Sequence, residues 1–240
     1  MRLGVALIAL SVVIFAIKFI VIGKPEETYD YLLNALGFLP IDVFLVTLIL
    51  NQLITMRAKR EQLEKLNMVI GAFFSEMGTE ILEQFSQHDL HLDVLRARLV
   101  VRREWTDQAF REVQAVLAKY PYKLDIRDFS LSEMNAYFSQ KRDFMIRLLE
   151  NPILLEHQIF TDMLRALFHL TEELARRSAF PALPDSDYHH LSGDLNRAYH
   201  LLVIQWLAYM KYLKNTYPYL FSFAMRTNPF DPHASAIVSE

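Results

Sequence analysis

Hydrophobic and polar residues alternate along this chain in long blocks, and the blocks repeat with helical rather than strand period. Leu3 to Ile17 carries no charge and a single hydroxyl, Ser11, and the apolar run reaches Ile22 if Lys18 snorkels to the interface. Twenty residues at helical rise cover about 30 Å, the hydrocarbon thickness of a bilayer. A second apolar block, Leu39 to Met56, is interrupted only by Asp42, Asn51 and Gln52 among strongly polar residues and stops at Arg57-Ala58-Lys59-Arg60. The two blocks predict a transmembrane hairpin over residues 1–56. Between them, Tyr29, Leu32, Leu33 and Leu36 predict a short amphipathic turn of helix on the outer surface, with Gly37 and Pro40 redirecting the chain. The exit Ile22-Gly23-Lys24-Pro25-Glu26 lacks an A-x-A-like cleavage site, which argues against a signal peptide.

Beyond the second block, Leu63, Leu66, Ile70, Phe73 and Met77 continue an a/d spacing until Glu80 breaks it, which predicts a helical stalk over residues 57–90. Glycines at 71 and 78 weaken the case for one unbroken helix. A helical bundle then follows over residues 91–226, with a tail at 227–240. Asp93 to Lys119 reads as one helix, ended by Tyr120-Pro121-Tyr122. Ser130-Leu131-Ser132-Glu133 is a capping box opening a helix to Glu150. Asn151-Pro152 predicts the start of another helix running to about Arg177. Pro181 and Pro184 separate it from a last long helix that starts near Asp185 or Ser186 and reaches Asn215, before Pro218. The fold class expected is all-α: a two-helix membrane hairpin, a stalk and a cytoplasmic antiparallel bundle.

Composition agrees with a membrane component, since 52% of residues are hydrophobic, 22% are charged and the mean hydropathy is +0.14. The six glycines are too scattered for a dinucleotide, P-loop or nucleophile-elbow motif. Without cysteine there is no disulfide, thiolate metal site or thiol catalysis. Residues 57–240 hold 22 basic and 24 acidic side chains, so nucleic acid is not an expected partner. Charge bias sets orientation. Arg2 precedes the first block and Arg57, Lys59 and Arg60 follow the second, whereas Lys24 is outnumbered by Glu26, Glu27 and Asp30. The positive-inside rule then puts both termini in the cytoplasm, as expected for the cell (inner) membrane, with Arg57, Lys59 and Arg60 at the membrane surface.

Polar groups within the apolar blocks are the first candidate functional residues. Similar depths would let Lys18 and Asp42 form an ion pair, with independent snorkelling as the alternative. Thr47, Asn51 and Thr55 recur every fourth residue on the face opposite Asp42, a stripe suited to interhelical hydrogen bonding or to lining a pore. His88 and His91, beside Asp89 and Asp93, are weak metal candidates, and Asp185-Ser186-Asp187-Tyr188-His189-His190 is similar, but helix caps and polar junctions account for the same letters. His169 and Glu172 sit one turn apart as a possible acid–base pair on a face that also reads as solvated ion pairs with Asp162, Arg165 and Arg176. Asn228-Pro229-Phe230 reads as a turn ending the fold. No catalytic, cofactor or metal site is therefore expected. The function these features imply is a membrane-anchored helical scaffold or interaction module that self-associates or joins another membrane protein. The alternatives are an oligomeric channel or transporter subunit lined by Thr47, Asn51 and Thr55, and a membrane-bound hydrolase using histidine and carboxylate.

Overall fold

The computed structural model describes residues 2–22, 25–154, 157–177, 180 and 183–238, with side chains described from residue 9 onward except at 22, 25 and 28. Lys24, Pro181 and the side chain of Arg2, which entered the readings above, lie outside that set. The regular elements among the described residues are all helical, with no strand among them: α1 (Arg2–Ile22), α2 (Pro25–Phe73), α3 (Thr79–Gln87), α4 (Leu92–Leu99), α5 (Asp107–Leu117), α6 (Leu131–Leu149), α7 (Gln158–Ala175), α8 (Asp185–Thr216) and α9 (Pro218–Arg226). The chain divides into two compact units, Met1–Arg60 and Glu61–Glu240.

In the first unit α1 ends at Ile22 and α2 begins at Pro25. Phe15 meets Tyr31 with ring centroids 6.2 Å apart, and the Lys18 ammonium lies 5.0 Å from the centre of the same Tyr31 ring. Contacts on both sides of so short a connection mean that α2 runs back along α1. Two expectations are corrected here. The connection between the apolar blocks is not a separate surface turn, because α2 passes without interruption through Gly37 and Pro40. Proline at position 40 removes one backbone bond and crowds one turn, a cost that an otherwise strongly apolar helix tolerates. Lys18 and Asp42 are not brought together either: level with Tyr31, Lys18 is about 16 Å short of Asp42 along the helix axis. Its ammonium rests on an aromatic face instead.

Residues 61–90, most of the expected stalk, belong to the second unit and contribute to its core. Leu66, Ile70, Phe73, Phe74, Ile81 and Phe85 are all buried. The heptad ends where it does because Phe74–Gly78 is a π-helical turn, whose extra residue per turn shifts the apolar face before α3 begins. Phe73 packs edge to face on Phe160 of α7 at 5.4 Å, and Phe74 stacks on Tyr209 of α8 at 5.1 Å.

Side-chain caps open three of the remaining helices, α5, α6 and α7. The Ser130 hydroxyl accepts the Glu133 amide at 3.4 Å and opens α6 as expected. Thr106 accepts the Ala109 amide at 3.3 Å and starts α5, so the helix expected over 93–119 is two helices, α4 and α5. The helix expected from Asn151-Pro152 begins only at Gln158: Asn151 holds a turn by accepting the Ile153 amide at 3.1 Å, and His157 Nδ1 caps α7 by accepting the Phe160 amide at 3.2 Å. α8 spans the range expected of it. Its apolar face, including Leu191, Leu195, Leu202, Trp206 and Met210, is fully or almost fully buried. On its flank Asn196 clamps the irregular 120–125 stretch, accepting from the Leu124 amide at 2.7 Å and donating to the Leu124 carbonyl at 2.9 Å.

The 227–240 segment is not a free tail in its first residues. Asn228 donates to the Leu99 carbonyl at 2.8 Å and accepts the Phe230 amide at 2.9 Å, and Phe230 packs against Trp206. The Asn-Pro-Phe turn is thus part of the core, with Asn228 and Phe230 both buried.

Candidate functional site

Helices α7 and α8 are consecutive and antiparallel, and their register turns two sequence-local repeats into one cluster. On α7, His169 and Glu173 are four residues apart and share a face; on α8, His190 and Asp194 do the same. The faces meet. At the corner Arg177 donates to both carboxylate oxygens of Asp187, Nε to Oδ2 at 3.0 Å and Nη2 to Oδ1 at 2.6 Å. One turn further, Glu173 Oε2 lies 3.8 Å from His190 Nε2. Next, His169 Nε2 is 3.2 Å from Asp194 Oδ2, and His190 Nε2 is 3.5 Å from the same oxygen.

Electrostatics orders these groups. Arg177 also donates to Glu173 Oε2 at 3.0 Å and to the Glu173 carbonyl. That hydrogen bond is the main reason the Glu173 carboxyl is held below its usual range, and Arg177 does the same for Asp187. Arg197 donates to Asp194 Oδ1 at 3.0 Å. The other oxygen, Oδ2, is buried and has no hydrogen-bond partner among the described residues, although it faces both imidazoles. Among those residues, His169, His190 and Asp194 are the one group of three metal-capable side chains whose donor atoms gather within 4.8 Å of one another.

Of the residues singled out in the sequence, His169, Asp187 and His190 belong to this cluster and the others fall elsewhere. His88 and His91 are not on one helical face, because residues 88–91 form the turn between α3 and α4. His88 Nδ1 is 3.0 Å from the Gln84 carbonyl and its ring lies on Phe129 at 4.2 Å. The carboxylate between the two histidines turns inward, where Asp89 Oδ1 accepts the Tyr120 hydroxyl at 2.7 Å and the His91 amide at 2.9 Å. Burial, with that carboxylate alongside, pushes the Tyr120 hydroxyl well above its ordinary range. Glu172 does not serve His169; it pairs with Arg142 of α6 at 2.9 Å and with Arg176 at 3.8 Å. Thr47, Asn51 and Thr55 lie exposed on α2, and Asp42, Arg57, Lys59 and Arg60 are exposed on the same helix.

Glu173 and Asp194 were missed, yet a signal existed: a histidine followed four residues later by a carboxylate occurs on each of two consecutive helices. The second unit also carries an aromatic groove of about 540 Å³, with Met68, Tyr209, Tyr212, Tyr217, Leu220 and Phe223 in its walls. Burial there pushes the Tyr212 hydroxyl up to about 12.

Residues 62–226 match the family described as "Uncharacterized protein MJ1433, C-terminal helical domain", and residues 1–54 match "MJ1433, N-terminal helical domain". The chain belongs to the MJ1433 family. Uncharacterized protein MJ1433 of Methanocaldococcus jannaschii is 41% identical over 238 residues, which cover 99% of this chain and 95% of its own. The two MJ1433 regions meet between residues 54 and 62, around the boundary of the two compact units at Arg60 and Glu61. No solved structure matches the chain.

Proposed function

We propose that the chain is a membrane-anchored helical interaction module, held in the bilayer by α1 and the apolar part of α2 and self-associating through α2. One observation carries this reading. The helix from Tyr29 contains an 18-residue window of mean hydropathy 2.1, none of which is buried against the rest of the chain. An apolar surface of that length left uncovered is stable only in lipid or against another apolar surface. α1 supports it with the apolar stretch Ala9–Val21. Both termini, and the folded unit from Glu61 onward, lie on the cytoplasmic side in this reading, because the basic residues Arg57, Lys59 and Arg60 close the apolar segment.

Self-association follows from the polar stripe. Thr47, Asn51 and Thr55 point outward along one face, and Asn51 has no side-chain partner among the described residues. An asparagine amide in hydrocarbon gains from a second amide, by about 1–2 kcal/mol in model peptides. The full chain in nanodiscs should therefore be oligomeric by mass photometry, with Asn51→Leu weakening assembly and Asp42→Asn, on the opposite face, leaving it intact. A monomer at every density refutes self-association, and an oligomer indifferent to Asn51→Leu refutes the interface. The same stripe favours a pore as the second reading, which ion flux in liposomes separates from a closed interface. Topology is read from single cysteines, since the native chain has none. Asp30→Cys should react with an impermeant maleimide in intact cells and Ser139→Cys only after lysis; labelling of Ser139→Cys in intact cells overturns the cytoplasmic placement.

A further inference from the structure

We propose that His169, Glu173, His190 and Asp194 bind a divalent transition-metal ion of the zinc class, which ties α7 to α8. The inference goes beyond the membrane reading, uses none of its observations, and departs from the composition-level expectation that the chain has no metal site.

Donor chemistry comes first. Two imidazole nitrogens and two carboxylates suit zinc and its neighbours, whereas calcium and magnesium take oxygen alone. The spacing then fits. Ligand bonds of about 2.0–2.1 Å to a tetrahedral ion place neighbouring donor atoms about 3.3 Å apart. His169 Nε2 and His190 Nε2 stand 3.2 and 3.5 Å from Asp194 Oδ2, so two edges of that tetrahedron already exist. Glu173 stands beside this group, with Oε1 3.9 Å from His169 Nε2 and Oε2, which Arg177 holds, 3.8 Å from His190 Nε2, so its side chain must turn inward to present one oxygen as the fourth ligand.

Burial supplies the independent observation. The Asp194 side chain is only 5% exposed, and its Oδ2 is left without a hydrogen bond of good geometry, with the two imidazole nitrogens as its neighbours at 3.2 and 3.5 Å. A buried carboxylate oxygen that faces two neutral imidazoles is poorly compensated, and a cation shared by all three compensates it. The second oxygen of Asp194 is fixed by Arg197 and one oxygen of Glu173 by Arg177, the outer-shell hydrogen bonds that orient metal-binding carboxylates. The histidines are 47% and 53% exposed, so an ion has a path in from solvent.

The test uses the full-length chain in detergent micelles, stripped with chelator and titrated with Zn²⁺ against a chromophoric competitor, and with Co²⁺ as a spectroscopic probe. The native chain should take up one equivalent of Zn²⁺ and give the intense visible bands of four-coordinate Co²⁺. His169→Ala, His190→Ala and Asp194→Asn should each weaken binding by about tenfold or more, Glu173→Gln by less, and His88→Ala/His91→Ala not at all. Folding is followed separately by circular dichroism: the half-exposed histidines should be replaceable without loss of helicity, and Zn²⁺ should raise the Tm of the native chain but not of His190→Ala. No uptake at about tenfold excess of either metal overturns the site, as does uptake that survives in His169→Ala/His190→Ala. In either case the cluster is an ion-pair network only.

Discussion

Two glycines in the folded unit should respond to the same substitution with opposite signs. Gly78 closes the π-helical turn after α2 with ordinary helical backbone, φ −65° and ψ −39°, so conformational freedom does not explain its glycine. Space does: a Cβ there would stand 2.5 Å from Phe73 Cε1 and 2.8 Å from Phe74 Cδ1. Neither ring can retreat, because Phe73 is fully buried against Phe160 and Phe74 is stacked on Tyr209. Gly193, on the exposed side of α8, has nothing within 4 Å of its would-be Cβ. Alanine gains about 1 kcal/mol over glycine inside a helix, and at Gly193 nothing opposes that gain. At Gly78 contacts this short on pinned rings cost near the upper end of overpacking, about 3 kcal/mol, leaving a net loss of about 2 kcal/mol. For a unit of this size 1 kcal/mol moves Tm by about 2–4 °C. Thermal unfolding of the full chain in micelles, followed by circular dichroism, should show Gly193→Ala raised by about that amount and Gly78→Ala lowered by about twice as much. A Gly78→Ala chain as stable as the native one would refute the packing assigned to Phe73 and Phe74.

Two further perturbations probe the rest of the fold. Asn228→Ala strands the buried Leu99 carbonyl and removes the partner of the Phe230 amide, so it should cost about 1–3 kcal/mol and expose Trp206, read as a red shift of its fluorescence; an unchanged spectrum argues against docking of the C-terminal turn. His200 lies against Tyr122 at 4.6 Å, and burial lowers its pKa below the ordinary 6.5. The unfolded chain therefore binds the proton first as pH falls, and the stability from keeping His200 neutral is full above pH 6.5 and lost as pH drops through its folded-state value. Urea titrations from pH 7.5 to 5 should show the native chain losing more stability than His200→Phe, and parallel curves would remove His200 from the acid response.

What could be read from the sequence was whatever a few neighbouring residues decide among themselves. Helical period, the stop at Tyr120-Pro121-Tyr122, the Ser130 cap and the start of α8 near Asp185 all rest on hydrogen bonds or steric limits within one turn. Even local signals misled where two competed. Thr106 capped α5 inside a run whose amphipathic pattern looked continuous, and Asn151-Pro152 yielded to His157 as the start of α7. Pro40 looked like a break because the proline penalty is local, whereas the helix that absorbs it is 49 residues long. Tertiary structure alone decided which faces meet. Burial of the apolar sides of α7 and α8, at Leu167, Leu170, Leu191 and Leu195, sets their rotation and antiparallel register. That register carries His169 and Glu173 to His190 and Asp194, about 20 positions away in the chain, and leaves Glu172 to Arg142. Residue spacing along one helix encodes a shared face; the partner of that face depends on packing between helices, which no short stretch of sequence contains.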